Sequence, residues 1–241
     1  MQEFCILRRV AAEMYQPSTR GAWISALRHF GRVSTRRALV RVAPRGLLLA
    51  HGDLAAVYLT FDDGPHPEHT PRLLDALLGH GVRSTFFVVG NRAVQHPEII
   101  QRMVREGHSV GHHSFNHTAP SKTSARQLLD EVRETRSMLR EQTGLQHNLF
   151  RPPSGQLTPA KLVGLWLERQ TVVLWSLDPR DFACRSHADL AAAFAQRPIH
   201  GGDVVLLHDD NPHLLPILDD LVADVRSRGL EFRAIDPSRL V

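Results

Sequence analysis

The chain has 241 residues, 42% hydrophobic and 22% charged, which suits one large domain or two small ones around a sizeable core. The net charge of +4 is uneven: residues 1–50 hold nine Arg and two Glu, about +7, and leave about −3 for the remainder. The N-terminus MQEFCILRRVAAEMYQ lacks the apolar core of a secretory signal, no run approaches the ~20 apolar residues of a membrane span, and Cys5 and Cys184 make no disulfide framework, so a cytoplasmic protein is expected.

Residues 1–50 read as a basic, partly helical extension. In GAWISALRHFGRV, Trp23, Ile24, Leu27, Phe30 and Val33 recur at helical spacing with Arg on other faces. Two readings stay open: a peripheral helix on an anionic membrane surface, or a helix packed against the main domain. The Arg residues are not interleaved with an aromatic stacking platform, so no nucleic-acid partner is expected.

Residues 51–241 alternate strand and helix. AAVYLTF reads as a strand and PRLLDALLGHG as a helix stopped at Gly81; VRSTFFVV is the second strand and HPEIIQRMVREG the second helix, stopped at Gly107. HSVGHHS is a short third strand, SARQLLDEVRETRSMLREQTG the longest helix, and NLFRPP a fourth strand. TPAKLVGLWLERQ is a helix with Thr158 as N-cap and Pro159 at its first position. TVVLWSL, DVVLLHDD and LEFRAI are the later strands, with helices in ADLAAAFAQ and in LLPILDDLVADVRSRG between them. About seven strands in this order predict an α/β fold with a mostly parallel sheet, closed or nearly closed into a barrel with helices outside. In a barrel of this kind the functional groups belong at the C-terminal strand ends.

Those ends are where the chemistry-bearing residues stand. Asp62 and Asp63 follow the first strand, and His113 and His117 follow the third, four residues apart. Arg151 opens RPPSG after the fourth strand, Asp178 and Asp181 follow TVVLWSL, and His208 ends the apolar run VVLLH. Each alone has an ordinary reading: a turn carboxylate, a surface Arg, a core His. Their joint occurrence at successive strand ends does not. Two imidazoles and one carboxylate make a three-ligand site with open positions, the pattern of catalytic zinc or a similar divalent ion. Such an ion would also explain two adjacent aspartates, one binding it and one left free as a base.

TFDDGP, HSFNH, RPPSG, DPRDF and LLHD stand in the order and spacing of the five motifs of the polysaccharide deacetylases, carbohydrate esterase family 4, built on the NodB homology domain. The resemblance covers roughly residues 55–236 and implies a distorted (β/α) barrel. It implies Asp63, His113 and His117 as ligands of a divalent metal, most simply Zn²⁺ with Co²⁺ as an alternative. Asp62 would be the general base held by Arg151, and His208 the general acid oriented by Asp181. A backbone N–H near Ser154 would face the oxyanion, and Leu206 and Leu207 would line the acetyl pocket. The implied reaction removes N-acetyl groups from an N-acetylated glycan of chitooligosaccharide, peptidoglycan or exopolysaccharide type. A deacylase of a lipid-linked sugar, or an inactive glycan-binding module, are the alternatives. Ser154 replaces a Tyr common in the family and Phe182 a Trp. His112 stands where Asn is frequent and would support the site or serve as a spare ligand.

Overall fold

A computed structural model describes residues 48–236. The basic segment expected at the N-terminus lies, up to residue 47, outside the described residues. Eight strands form one sheet: β1 (Leu48–Leu49), β2 (Ala56–Asp62), β3 (Thr85–Val88), β4 (Ser109–His112), β5 (Leu149–Phe150), β6 (Thr171–Val173), β7 (Val204–His208) and β8 (Glu231–Phe232). The order is β1-β6-β5-β4-β3-β2-β7 with β8 beside the start of β2, and every ladder is parallel. Parallel pairing requires crossovers, and these are α1 (His69–Gly79), α2 (Gly90–Gln95), α3 (Pro97–Arg105), α4 (Ala125–Thr143), α5 (Pro159–Leu167), α6 (His187–Gln196) and α7 (Leu218–Ser227).

The curled sheet does not close with a full ladder. β1 and β7 are its edges, and single bridges span the gap: His51, just past β1, to Asp203, antiparallel, and Leu177, in the segment after β6, to Val205 of β7, parallel. This is the distorted barrel anticipated from the motifs. Two elements escaped the sequence pattern. β1 is two residues long and falls within the stretch assigned to the extension, so the sheet begins at Leu48. α2 is six residues with only Gly90 and Ala93 buried, too short to show a helical apolar face.

The longest helix shows why the pattern was readable elsewhere. Ser124 and Gln127 form a reciprocal capping box, Leu128, Val132, Thr135 and Leu139 are buried on one face, and Gly144 ends the helix at φ +72°.

Strand alternation then sorts the side chains into two layers. Tyr58, Phe87, Leu149, Val173, Val204 and Trp175 fill the barrel interior. Phe61, Phe86, Val88, Val205 and Leu207 point the other way, into the core shared with α1, α3 and α7. A second outer cluster places Phe150 and Val172 against Leu162, Leu165 and Trp166 of α5. Every strand end therefore offers one interior position, and that position decides which residue reaches the site.

Candidate active site

β2 ends in Asp62, whose interior-facing neighbours across the sheet are Phe87 on β3 and His208 on β7. The next interior position of β5 is Arg151. Its side chain is fully buried, and Nη1 donates to Asp62 Oδ1 and to Thr60 Oγ1, both at 2.7 Å. Nε and Nη2 donate to the carbonyls of Val173 and Leu174, and the guanidinium lies 4.1 Å over the Phe87 ring. Thr60 passes its own proton to the Val205 carbonyl at 2.6 Å. A carboxylate this enclosed would not stay ionised unaided. Burial pushes the Asp62 carboxyl above the usual carboxylate range, and Arg151 pulls against that shift. The pair leaves Asp62 a stronger proton acceptor than a surface aspartate, with one oxygen, Oδ2, directed at His113 Nε2 3.7 Å away.

Opposite stands His208. Its Nδ1–H donates to Asp181 Oδ1 at 2.7 Å, its main-chain N–H donates to Asp181 Oδ2 at 2.8 Å, and Asp181 Oδ1 also accepts from Phe182 N. Asn211 Nδ2 secures the Asp181 carbonyl at 2.8 Å. Burial opposes charge on the imidazole, but the Asp181 hydrogen bond and charge, with Asp62 and Asp63 beyond, push it up to about 9. His208 is therefore protonated at neutral pH. Asp178, by contrast, accepts from Arg180 N and serves the turn.

Asp63 takes a left-handed backbone, φ +72°, which Asp tolerates better than most residues. That twist turns its carboxylate away from Asp62 and toward the loop after β4. Asp63 Oδ1 is buried, has no hydrogen-bond partner, and lies 3.2 Å from His117 Nε2 and 3.7 Å from His113 Nε2. The three ligand atoms all fall within 4.8 Å of one another. Ligands about 2 Å from a tetrahedral ion stand about 3.3 Å apart, so these spacings and the orphaned oxygen fit a divalent cation. His113 is prepared for the same role. Burial holds it down to about 3, hence neutral, and its Nδ1–H donates to the Arg151 carbonyl at 2.7 Å, which leaves the Nε2 lone pair for the cation. Arg151 thus fixes Asp62 through its side chain and His113 through its carbonyl.

Two expectations change. Leu206 shares the interior face of Thr60 and His208, but Leu207 packs in the outer core, so only Leu206 can line a pocket at the site. His112 points outward from β4: it is buried, Nε2 is 2.9 Å from Gln170 Oε1, and its ring lies against Phe150. Burial takes it down to about 3. His112 is a core residue and no spare ligand. Ser154 stands exposed in a 3-10 turn at φ +54°, so any contribution comes from its main chain. Phe182 remains at the rim, 63% exposed and edge-on to His208 at 5.9 Å.

Other residues near the site are given no role by the sequence, although Asp209 closes the LLHD motif. Arg92 on α2 donates to the Asp63 carbonyl at 2.6 Å. Asp209, pushed up to about 7 by burial, accepts from Thr70 Oγ1 at 2.6 Å and fills the space where a side chain at Gly64 would lie. Only the fold brings these residues under the Asp62–Asp63 turn.

A parallel barrel that gathers three side chains able to hold a cation, a buried carboxylate and a charged imidazole at one end defines a candidate metal-assisted acid–base site. The chain belongs to the polysaccharide deacetylase family, whose family model matches residues 52–164. Chitooligosaccharide deacetylase of Bradyrhizobium sp. (strain ANU 289) is 38% identical over 191 residues, 77% of this chain and 84% of that protein. Peptidoglycan-N-acetylglucosamine deacetylase PgdA of Listeria monocytogenes is 34% identical over 185 residues, 75% of this chain. The chain spans only 38% of that relative's length. Among solved structures, the Bc1960 peptidoglycan N-acetylglucosamine deacetylase superposes with a TM-score of 0.75 at 28% identity, covering 80% of this chain and 92% of its own.

Proposed function

We propose that this chain hydrolyses the acetamide of N-acetylated amino sugars in a glycan, of chitooligosaccharide or peptidoglycan type, with a divalent cation, most simply Zn²⁺, held by Asp63, His113 and His117. The observation that carries this is the orphaned, buried Asp63 Oδ1 facing two imidazole nitrogens, with Asp62 and His208 flanking it.

Bound there, the cation would supply Lewis acidity toward the acetamide carbonyl. Asp62 takes a proton from the attacking water as its oxygen bonds to the carbonyl carbon. Arg151 keeps the carboxylate in place and pulls against the rise that burial gives it. His208 gives its Nε2 proton to the sugar nitrogen as the C–N bond breaks, and Asp181 stabilises the imidazolium before that transfer. The products are acetate and a free amino sugar, with the water proton left on Asp62. Acid–base help of this kind is worth about 10²–10⁴ in rate. The main-chain N–H at Ser154 is the proposed further donor to the oxyanion, a role serine fills as well as tyrosine. Because the base, the acid and all three ligands are present, the reading favours an enzyme over a glycan-binding module.

The test is acetate release from N-acetylglucosamine oligomers by metal-stripped protein, before and after adding Zn²⁺ or Co²⁺, with Asp62→Asn as control. Metal-dependent release that vanishes in the variant supports the assignment. Failure to bind one equivalent of metal, together with no release, would sink it.

A further inference from the structure

His113 is anchored from behind by the Arg151 carbonyl, whereas His117 has no such anchor. Its side chain is 39% exposed, and no hydrogen bond holds its ring among the described residues. A histidine ligand without an outer partner must be placed by its main chain. That main chain is unusual: Ser114 and His117 are both left-handed, at φ +67° and +52°, a conformation that disfavours L side chains. Something has to hold the loop in it.

The holding groups are visible. The loop's carbonyls face α2, where Gly90 N donates to Ser114 O and Asn91 N to Phe115 O, both at 3.0 Å. A side chain at residue 90 would collide with Phe115, so this approach requires glycine. The loop's amides face α4. Phe115 N and Asn116 N both donate to one oxygen, Oε2 of Glu131, at 3.0 and 3.2 Å. Within the loop, His117 N donates to Ser114 Oγ at 3.0 Å. Glu131 forms no ion pair among the described residues, so its carboxylate has these two amides as its partners. Two successive N–H groups on one carboxylate oxygen fix the orientation of both peptide planes just before His117.

We propose that Glu131, on the long helix α4, is a positioning residue for the metal centre, its carboxylate holding the Phe115–Asn116 main chain so that His117 Nε2 converges on Asp63 Oδ1. This rests on the metal-site reading above. The required property is reach: an acceptor at the end of a glutamate-length side chain. Charge is secondary, because a Gln carbonyl at the same place accepts the same two bonds.

The test compares Glu131→Gln with Glu131→Asp. Each is a conservative change on a partly exposed helical face. Gln keeps reach and loses charge, and Asp keeps charge and withdraws the acceptor by one methylene. Zn²⁺ affinity of metal-stripped protein is measured by competition with a chromophoric chelator, and metal-free stability by urea unfolding. The expected result is a loss of about tenfold or more in affinity for Glu131→Asp, the size usual for an outer partner of a ligand, with Glu131→Gln close to wild type. Wild-type affinity in Glu131→Asp, even with lowered urea stability, would make Glu131 a structural residue only and overturn the inference. Equal weakening in both variants would overturn the reach argument. A wild-type protein that binds no Zn²⁺ would overturn this inference and the metal site together, so the two failures are told apart.

Discussion

Replacing Asp181 by Asn tests how the acid is made. In the metal-free protein His208 is raised from 6.5 to about 9 although burial works against it, so the aspartates supply more than the whole rise. Asp181 is first among them, in direct contact at 2.7 Å. Removing its charge should lower His208 from about 9, because burial still opposes the charge and only Asp62 and Asp63 remain to support it. At pH 8 the protonated fraction in the metal-free protein, about 0.9 in the wild type, would fall below one half once the ring titrates below pH 8. Geometry worsens too. Asp181 accepts from His208 N with one oxygen and from His208 Nδ1 and Phe182 N with the other, and Asn must turn its NH₂ toward one of these donor sets. Stability follows with a fixed sign. A histidine raised on folding contributes stability that is full below pH ~6.5 and lost as pH rises through about 9. Here that is about 3 kcal/mol, and Asp181→Asn should remove most of it. The assays are NMR titration of the His208 ring in metal-free protein, urea unfolding at pH 6 and 9.5, and acetate release at pH 8. A His208 ring that still titrates near 9 in Asp181→Asn would refute the reasoning.

Arg151→Met strands the Asp62 carboxylate and should cost about 3–5 kcal/mol. Adding Asp62→Asn should restore part of that stability but no activity, and strictly additive losses in urea unfolding would contradict the buried pair. His112→Ala should lower stability by about 2–3 kcal/mol through loss of the packed ring and the orphaned Gln170, while Zn²⁺ stoichiometry stays at one. A lost equivalent of metal would return His112 to the site. Leu207→Ala should cost about 2–5 kcal/mol with KM of the folded protein unchanged, whereas Leu206→Ala should raise KM or alter acyl-chain preference. Steady-state kinetics with N-acetyl and longer N-acyl oligomers separate the two.

Chain order and local chemistry determined much of this protein before folding is considered. The Ser124 cap and Gly144 stop mark α4, Thr158 and Pro159 open α5, and each apolar run is followed by its polar strand end. These are signals within a few residues of one another, so the parallel barrel and the gathering of Asp62, Asp63, His113, His117, Arg151, Asp181 and His208 at one end of it are legible in the five motifs. What the motifs cannot carry is direction. Adjacent residues on a strand face opposite ways, so Leu206 reaches the interior while Leu207 does not, and His113 reaches Asp63 and His117 while His112 lies against Phe150 and Gln170. Nor can local sequence show partners that come from far along the chain. Glu131 meets its loop 15 and 16 residues away, Arg92 meets the Asp63 carbonyl across 29, and Thr70 meets Asp209 across 139. Those contacts exist only because the sheet order sets β3 beside β2 with β4 next to β3, and β7 on the other side of β2, and packs α4 against β4. The candidate reacting groups were therefore written into the sequence, and the groups that hold them at close distance were decided by the fold.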